Sequence, residues 1–156
     1  MEPKEPRAII IDNLTTKAVT KQIVYDNTKK ALSILKNVIS EFQRDINVSL
    51  KGLDKRIMIE YHDKGKFEAE LKIAGELLIF SMHSNIFEFD HNHSIWKSPY
   101  IFKNKLNSFC GIINIYNFLN DSFRYNRLND LGYLIARIFI NRENHYFVEG
   151  KRRIKF

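Results

Sequence analysis

The stretch that most constrains this chain runs from Thr15 to Ile46. Val24, Thr28, Ala31, Leu35, Val38, Phe42 and Ile46 recur at three- and four-residue steps, with Leu32 and Ile39 widening the stripe. Lys29, Lys30, Lys36, Asn37, Glu41 and Arg44 fall off it. An apolar stripe of that period beside a charged remainder is the pattern of a helix with one buried face. Such a helix would be about 48 Å long, against a radius of gyration of about 15 Å for a compact chain of this size. A break is therefore expected where poor helix formers cluster, at Asp26-Asn27-Thr28.

Upstream, Pro3 and Pro6 disfavour regular structure, and residues 1–7 are expected to be a frayed tail. Ala8 to Ile11 is short and β-branched, which predicts an edge strand, ended by Asp12-Asn13, with Thr15 or Thr16 capping the helix.

After Gly52 the period changes from helical to alternating. Ile57, Ile59 and Tyr61 form one strand, and Asp63-Lys64-Gly65-Lys66 is a hairpin turn. Phe67, Ala69, Leu71 and Ile73 alternate with Glu68, Glu70 and Lys72, the signature of a half-buried strand. Ala74-Gly75 turns the chain into Glu76–His83, and Ile86–Asp90 completes a four-stranded meander that the helix stripe could cover. Residues 91–107 read as a long loop, Cys110–Leu119 as a fifth strand, and Asn120–Asn129 as another loop. Asp130–Ile140 fits either a helix begun by Asn129-Asp130 or a strand paired through 141–144 to His145–Val148, with the helix slightly preferred. The expected fold is α+β: a long N-terminal helix on an antiparallel sheet of about five strands, plus a C-terminal helix or hairpin. It forms a single domain over 8–150, with tails at 1–7 and 151–156.

The 156 residues suffice for a core without disulfides, and Cys110 is the only cysteine, so no internal disulfide can form. No apolar run approaches the roughly 20 residues needed to span a bilayer, and 1–7 lack the apolar centre of a signal peptide. The expectation is a cytoplasmic protein with no membrane partner.

The net charge of +7 is uneven. Residues 1–55 carry +3, residues 56–90 carry −3, and residues 91–156 carry +7. Arg124, Tyr125 and Arg127, with Lys151, Arg152 and Arg153, concentrate that excess. Arginine grips phosphate through two parallel hydrogen bonds, and an exposed tyrosine can stack on a base. The leading reading is thus a non-enzymatic module for an anionic partner, a nucleic acid or nucleotide, with these six residues as contacts. The alternative is a protein-interaction or oligomerisation module using the N-terminal helix, because its stripe follows a seven-residue repeat for under three heptads.

Other chemistry is thinner. Asp90-His91-Asn92-His93 offers two ligands on one side of an extended segment, without a third at recognisable spacing. Glu70-Leu71-Lys72, with Asp63 or Asp54 upstream, matches the acidic-x-Lys order of metal-dependent nucleases, although strand alternation explains the same residues. Cys110 has no base placed beside it by any pattern, and the scattered glycines form no phosphate loop. No cofactor and no catalytic or metal-binding residue is expected.

Overall fold

The structure is a computed structural model that describes residues 2–119 and 132–150. Its order is α1 (Pro6–Asn13), a π-helical segment (Leu14–Ala18), α2 (Val19–Ser49), β1 (Glu60–Asp63), β2 (Glu68–Ile73), β3 (Glu76–Met82), β4 (Phe87–Glu88), α3 (Pro99–Lys103), β5 (Phe109–Leu119), β6 (Tyr133–Ile140) and β7 (Tyr146–Gly150). The architecture is α+β. The strands make one antiparallel sheet in the order β1-β2-β3-β5-β6-β7, with β4 on the flank of β5, so the described residues hold seven strands where about five were expected.

Four expectations change. Ala8–Ile11 is helix rather than edge strand. Pro6 is tolerated at the start of a helix, and one that continues into a longer helix avoids the cost of a separate nucleus. Thr15 and Thr16 do not cap; their hydroxyls donate back to Ile11 O and Asp12 O inside the π segment. No break occurs at Asp26-Asn27-Thr28, because tertiary partners outweigh weak propensity. Asn27 Nδ2 donates to the carbonyls of Asn141 and Arg142, and the Thr28 hydroxyl donates to Val24 O at 2.7 Å. Finally, Tyr133–Ile140 is a strand, and the hairpin alternative is the one formed: its turn places Asn144 in the left-handed region at φ 59°.

Smaller adjustments follow the same sheet. Lys55–Ile57 is a helical turn, so β1 starts only at Glu60, and β4 pairs with β5 instead of closing a meander on β3. Helical turns at Ser94–Lys97, Pro99–Lys103 and Lys105–Ser108 occupy most of the expected loop.

α2 crosses one face of the sheet diagonally. Near its start Asn27 holds the β6–β7 turn; near its end Asn47 exchanges two hydrogen bonds of 2.8 Å with the main chain of Ile59, just before β1. Between them Leu32 packs on Met82, Ile113 and Ile140, and Ile39 packs on Ile59, Leu71 and Phe80. The Thr28 side chain lies directly against Gly111, in the space a Cβ there would fill. The buried line is therefore Thr20, Val24, Thr28, Leu32 and Ile39, while Val38 and Phe42, placed on the stripe by spacing, are exposed.

Candidate functional site

The diagonal path of α2 leaves the β6–β7 end of the same sheet face uncovered. Register pairs Ile138 with Val148 and Ile140 with Tyr146. Ile138 and Ile140 share their face with Ile113, beneath Leu32. Along α2, Ile34 and Val38 point sideways over this strip and remain 56% exposed each, while Val148 is 53% exposed. The result is an apolar groove of about 520 Å³. Its floor is Ile113, Ile138 and Ile140; its walls are Ile34, Leu35 and Val38 on one side and Tyr146 on the other. Asn27, Lys30 and Asn144 stand at the rim. With Lys30 as its single charged lining residue, the groove is suited to burying apolar side chains.

A second unpartnered apolar surface lies at the N-terminus. α1 and the π segment extend α2 beyond the sheet, and neither contains a buried residue. Ile10, Ile11 and Leu14 are each more than half exposed and, at about 100° per residue, fall on one side of the helix.

The opposite sheet face carries the remaining chemistry-bearing groups. Phe139 packs between Phe89 and Phe147 at centroid distances of 4.9 and 5.9 Å, under the segment that joins β4 to β5. Two hollows lie there: one of about 200 Å³ lined mainly by aromatic and aliphatic side chains, and one of about 260 Å³ in which Phe87, Phe89, Ile112 and Phe139 stand beside Glu88, Asp90, His93, Arg137 and Glu149. Cys110 reaches both; burial pushes its thiol up to about 12, so it stays protonated and inert near neutral pH. Beside it Asn141 is buried and satisfied: its amide donates to the Tyr100 hydroxyl at 3.0 Å, and its carbonyl accepts from the amides of Glu143 and His145, both at 3.0 Å. Arg142 Nε donates to Asn107 Oδ1 at 2.9 Å. Tyr100 stacks on His145 at 4.6 Å, and burial is the main reason its hydroxyl is held above the usual tyrosine range. This network closes the β6–β7 turn onto its surroundings.

The histidines do not converge. His91 stacks on Trp96 at 5.3 Å, whereas His93 accepts the Ile95 amide on Nδ1 and lies against Phe89. Among the described residues no group of three or more His, Cys, Asp or Glu side chains is placed to hold a metal ion. The acidic-x-Lys order is also split. Asp63 lies on the helix side, paired with Lys36 at 2.7 Å, and Lys36 donates as well to the Gly65 carbonyl. Glu70 pairs across the sheet with His62, one residue out of phase with Asp63, and meets Lys64 at 3.7 Å on the other face. Asp54 is engaged by Arg56.

All six residues singled out for an anionic partner, Arg124, Tyr125, Arg127, Lys151, Arg152 and Arg153, lie outside the described residues. What spacing alone missed is the groove, since Val38 reads as buried until the direction of α2 across the sheet is known.

No helix among the described residues is long and apolar enough to cross a membrane. No protein-family model matches the sequence, and comparison with curated proteins and with solved structures gives no match.

Proposed function

We propose that this chain is a non-enzymatic protein-interaction module whose docking elements are the N-terminal helix and the groove beside α2. The observation that carries this reading is the groove itself. It is an open apolar channel on the core-facing side of a sheet, walled in part by Ile34 and Val38, which are more than half exposed although Leu32 and Ile39 beside them are buried. Apolar surface that is contiguous and grooved, rather than scattered, marks sites of protein association. A fluorescent apolar reporter, 8-anilinonaphthalene-1-sulfonate, tests it. The folded monomer is expected to bind the dye saturably, and Val38→Asp to abolish that binding without loss of helical signal. Absence of dye binding by the folded monomer refutes the reading.

A second reading, an anionic partner, is favoured by one feature of the sheet. Asn117 pairs with Tyr133, and Gly150 pairs with Ala136. The chain therefore leaves β5, enters β6 and leaves β7 at the same end of the sheet. These are the strand ends that precede or follow the segments bearing Arg124, Tyr125 and Arg127 and bearing Lys151, Arg152 and Arg153 in the sequence. Phosphate binding by several cations weakens steeply between low and moderate salt. A mobility-shift titration with single-stranded and duplex oligonucleotides that shows no complex at low salt removes this reading.

A further inference from the structure

The two unpartnered apolar surfaces belong to the same chain, but they cannot meet within it. α1 continues through the π segment into α2 without a loop, so Ile10 stands about 36 Å along the helix from Ile34. The arm points away from its own groove and has no hinge by which to fold back. Its dimensions nevertheless suit a groove of this kind. Pro6–Ala18 is 13 residues, eight in α1 and five in the π segment, about 20 Å of helix. The groove follows α2 from Asn27 to Val38, about 17 Å.

From this we infer that the groove is filled by the N-terminal arm of a second copy, with Ile10, Ile11 and Leu14 of each arm seated between α2 and the β6–β7 strip of the other. The inference rests on the interaction-module reading and commits it to one partner. A reciprocal exchange covers both surfaces: each copy has one arm and one groove, and a two-fold axis satisfies both at once.

The areas agree with what a stable dimer needs. A Val, Leu or Ile side chain carries roughly 100 Å² of apolar surface when fully exposed. Ile10, Ile11 and Leu14 on the arm and Ile34, Val38, Tyr146 and Val148 around the groove are each at least about half exposed. They therefore contribute roughly 350 Å² per copy and about 700 Å² for the pair. Since about 57% of an interface is apolar, the whole contact comes to about 1,200 Å², the lower end of specific, stable interfaces. One arm in one groove, without the reciprocal contact, would supply only half of that.

The test is sedimentation of the full chain over a wide concentration range, with single substitutions at each end of the contact. The expected result is a monomer–dimer equilibrium that Ile10→Asp, Leu14→Asp and Val38→Asp each weaken by about a hundredfold or more, because the two-fold axis places each change in the contact twice. The arm variants touch no buried residue, so their circular dichroism and thermal midpoint stay close to the parent's, which separates lost docking from lost folding. A dimer also reduces dye binding relative to the monomer, because arm and dye compete for the groove. A chain that stays monomeric at high concentration while binding the dye overturns the second copy as occupant and leaves the interaction module standing. A monomer that binds no dye overturns both. A dimer indifferent to Ile10→Asp and Leu14→Asp overturns arm exchange.

Discussion

Replacing Gly111 with alanine tests the contact on which the α2–sheet arrangement depends, and two opposing effects make the sign informative. Within a strand, glycine is ordinarily less stable than alanine by about 0.5–1 kcal/mol, so the substitution should help if nothing stands in the way. At Gly111 a Cβ would lie 1.9 Å from Thr28 Oγ1, 2.7 Å from Thr28 Cβ and 2.8 Å from Thr28 Cγ2. Carbon atoms rest at about 3.5–4 Å. Turning the Thr28 side chain gives no relief, since its Cβ is itself too close. Thr28 is fully buried with its hydroxyl committed to Val24 O. The helix must therefore lift from the sheet, an overpacking cost of 1–3 kcal/mol or more that outweighs the backbone gain. We expect a loss of about 3 kcal/mol, seen in urea or thermal unfolding as a drop of roughly 6–12 °C for a chain of this size. Thr28→Gly removes all three contact atoms and costs about 2 kcal/mol on its own through helix propensity and a small void. The double variant should unfold close to Thr28→Gly alone, giving a coupling of about 3 kcal/mol in the mutant cycle. A Gly111→Ala protein as stable as the parent or more stable, or a double variant whose losses add, would refute the close approach.

Three further outcomes are expected. The Asp63 carboxyl is held below its ordinary range, first by Lys36 Nζ and then by the Gly65 amide; a carboxylate lowered in the folded state adds stability above about pH 4 that vanishes as pH falls through its folded value. Asp63→Asn should accordingly flatten the acid limb of a urea-midpoint profile between pH 6 and 3, and a limb of unchanged slope would discount the Lys36 contact. Cys110 should resist a thiol reagent at pH 8 in the folded protein and react promptly once urea unfolds it, whereas fast labelling of the native chain would contradict its burial. Asn141→Ala strips the partners from the amides of Glu143 and His145 and should cost about 2–3 kcal/mol, with hydrogen exchange accelerated at those two turn amides before β6 and β7; uniform protection across the turn would count against this network.

The parts of the fold visible in the sequence are those where one local pattern has a single reading. The alternation from Phe67 to Ile73 could serve only a half-buried strand, and Gly65, with φ at 100°, occupies the turn that its hairpin demands. Ala8–Ile11 misled because a β-branched run in isolation says strand, while its continuity with a 31-residue helix says otherwise. The phase of α2 was blurred for a related reason. Val24, Thr28, Ala31, Leu32, Leu35, Val38, Ile39 and Phe42 make a stripe wider than the sheet beneath it, and periodicity cannot tell which edge of a wide stripe stays exposed. That edge is the groove, so the candidate site was hidden by the same breadth that made the helix obvious. Asn27, Asn47, Asn107 and Asn141 show the converse. Read singly they suggest loops, yet each fastens an element through hydrogen bonds to residues between 12 and 115 positions away, which local spacing does not encode.

The two outer strands of the sheet differ in a way that bears on how large an assembly can grow. β1 is four residues long, Glu-Tyr-His-Asp, and carries two carboxylates on its free edge. β7 is Tyr-Phe-Val-Glu-Gly, exposed throughout and mostly apolar. Joining the β7 edge of one molecule to the β1 edge of the next would repeat indefinitely and build a fibre, but a short, charged β1 gives such a chain of molecules a poor template. Of the two edges, β7 is thus the one that a further strand could extend, whereas the short, charged β1 resists such addition.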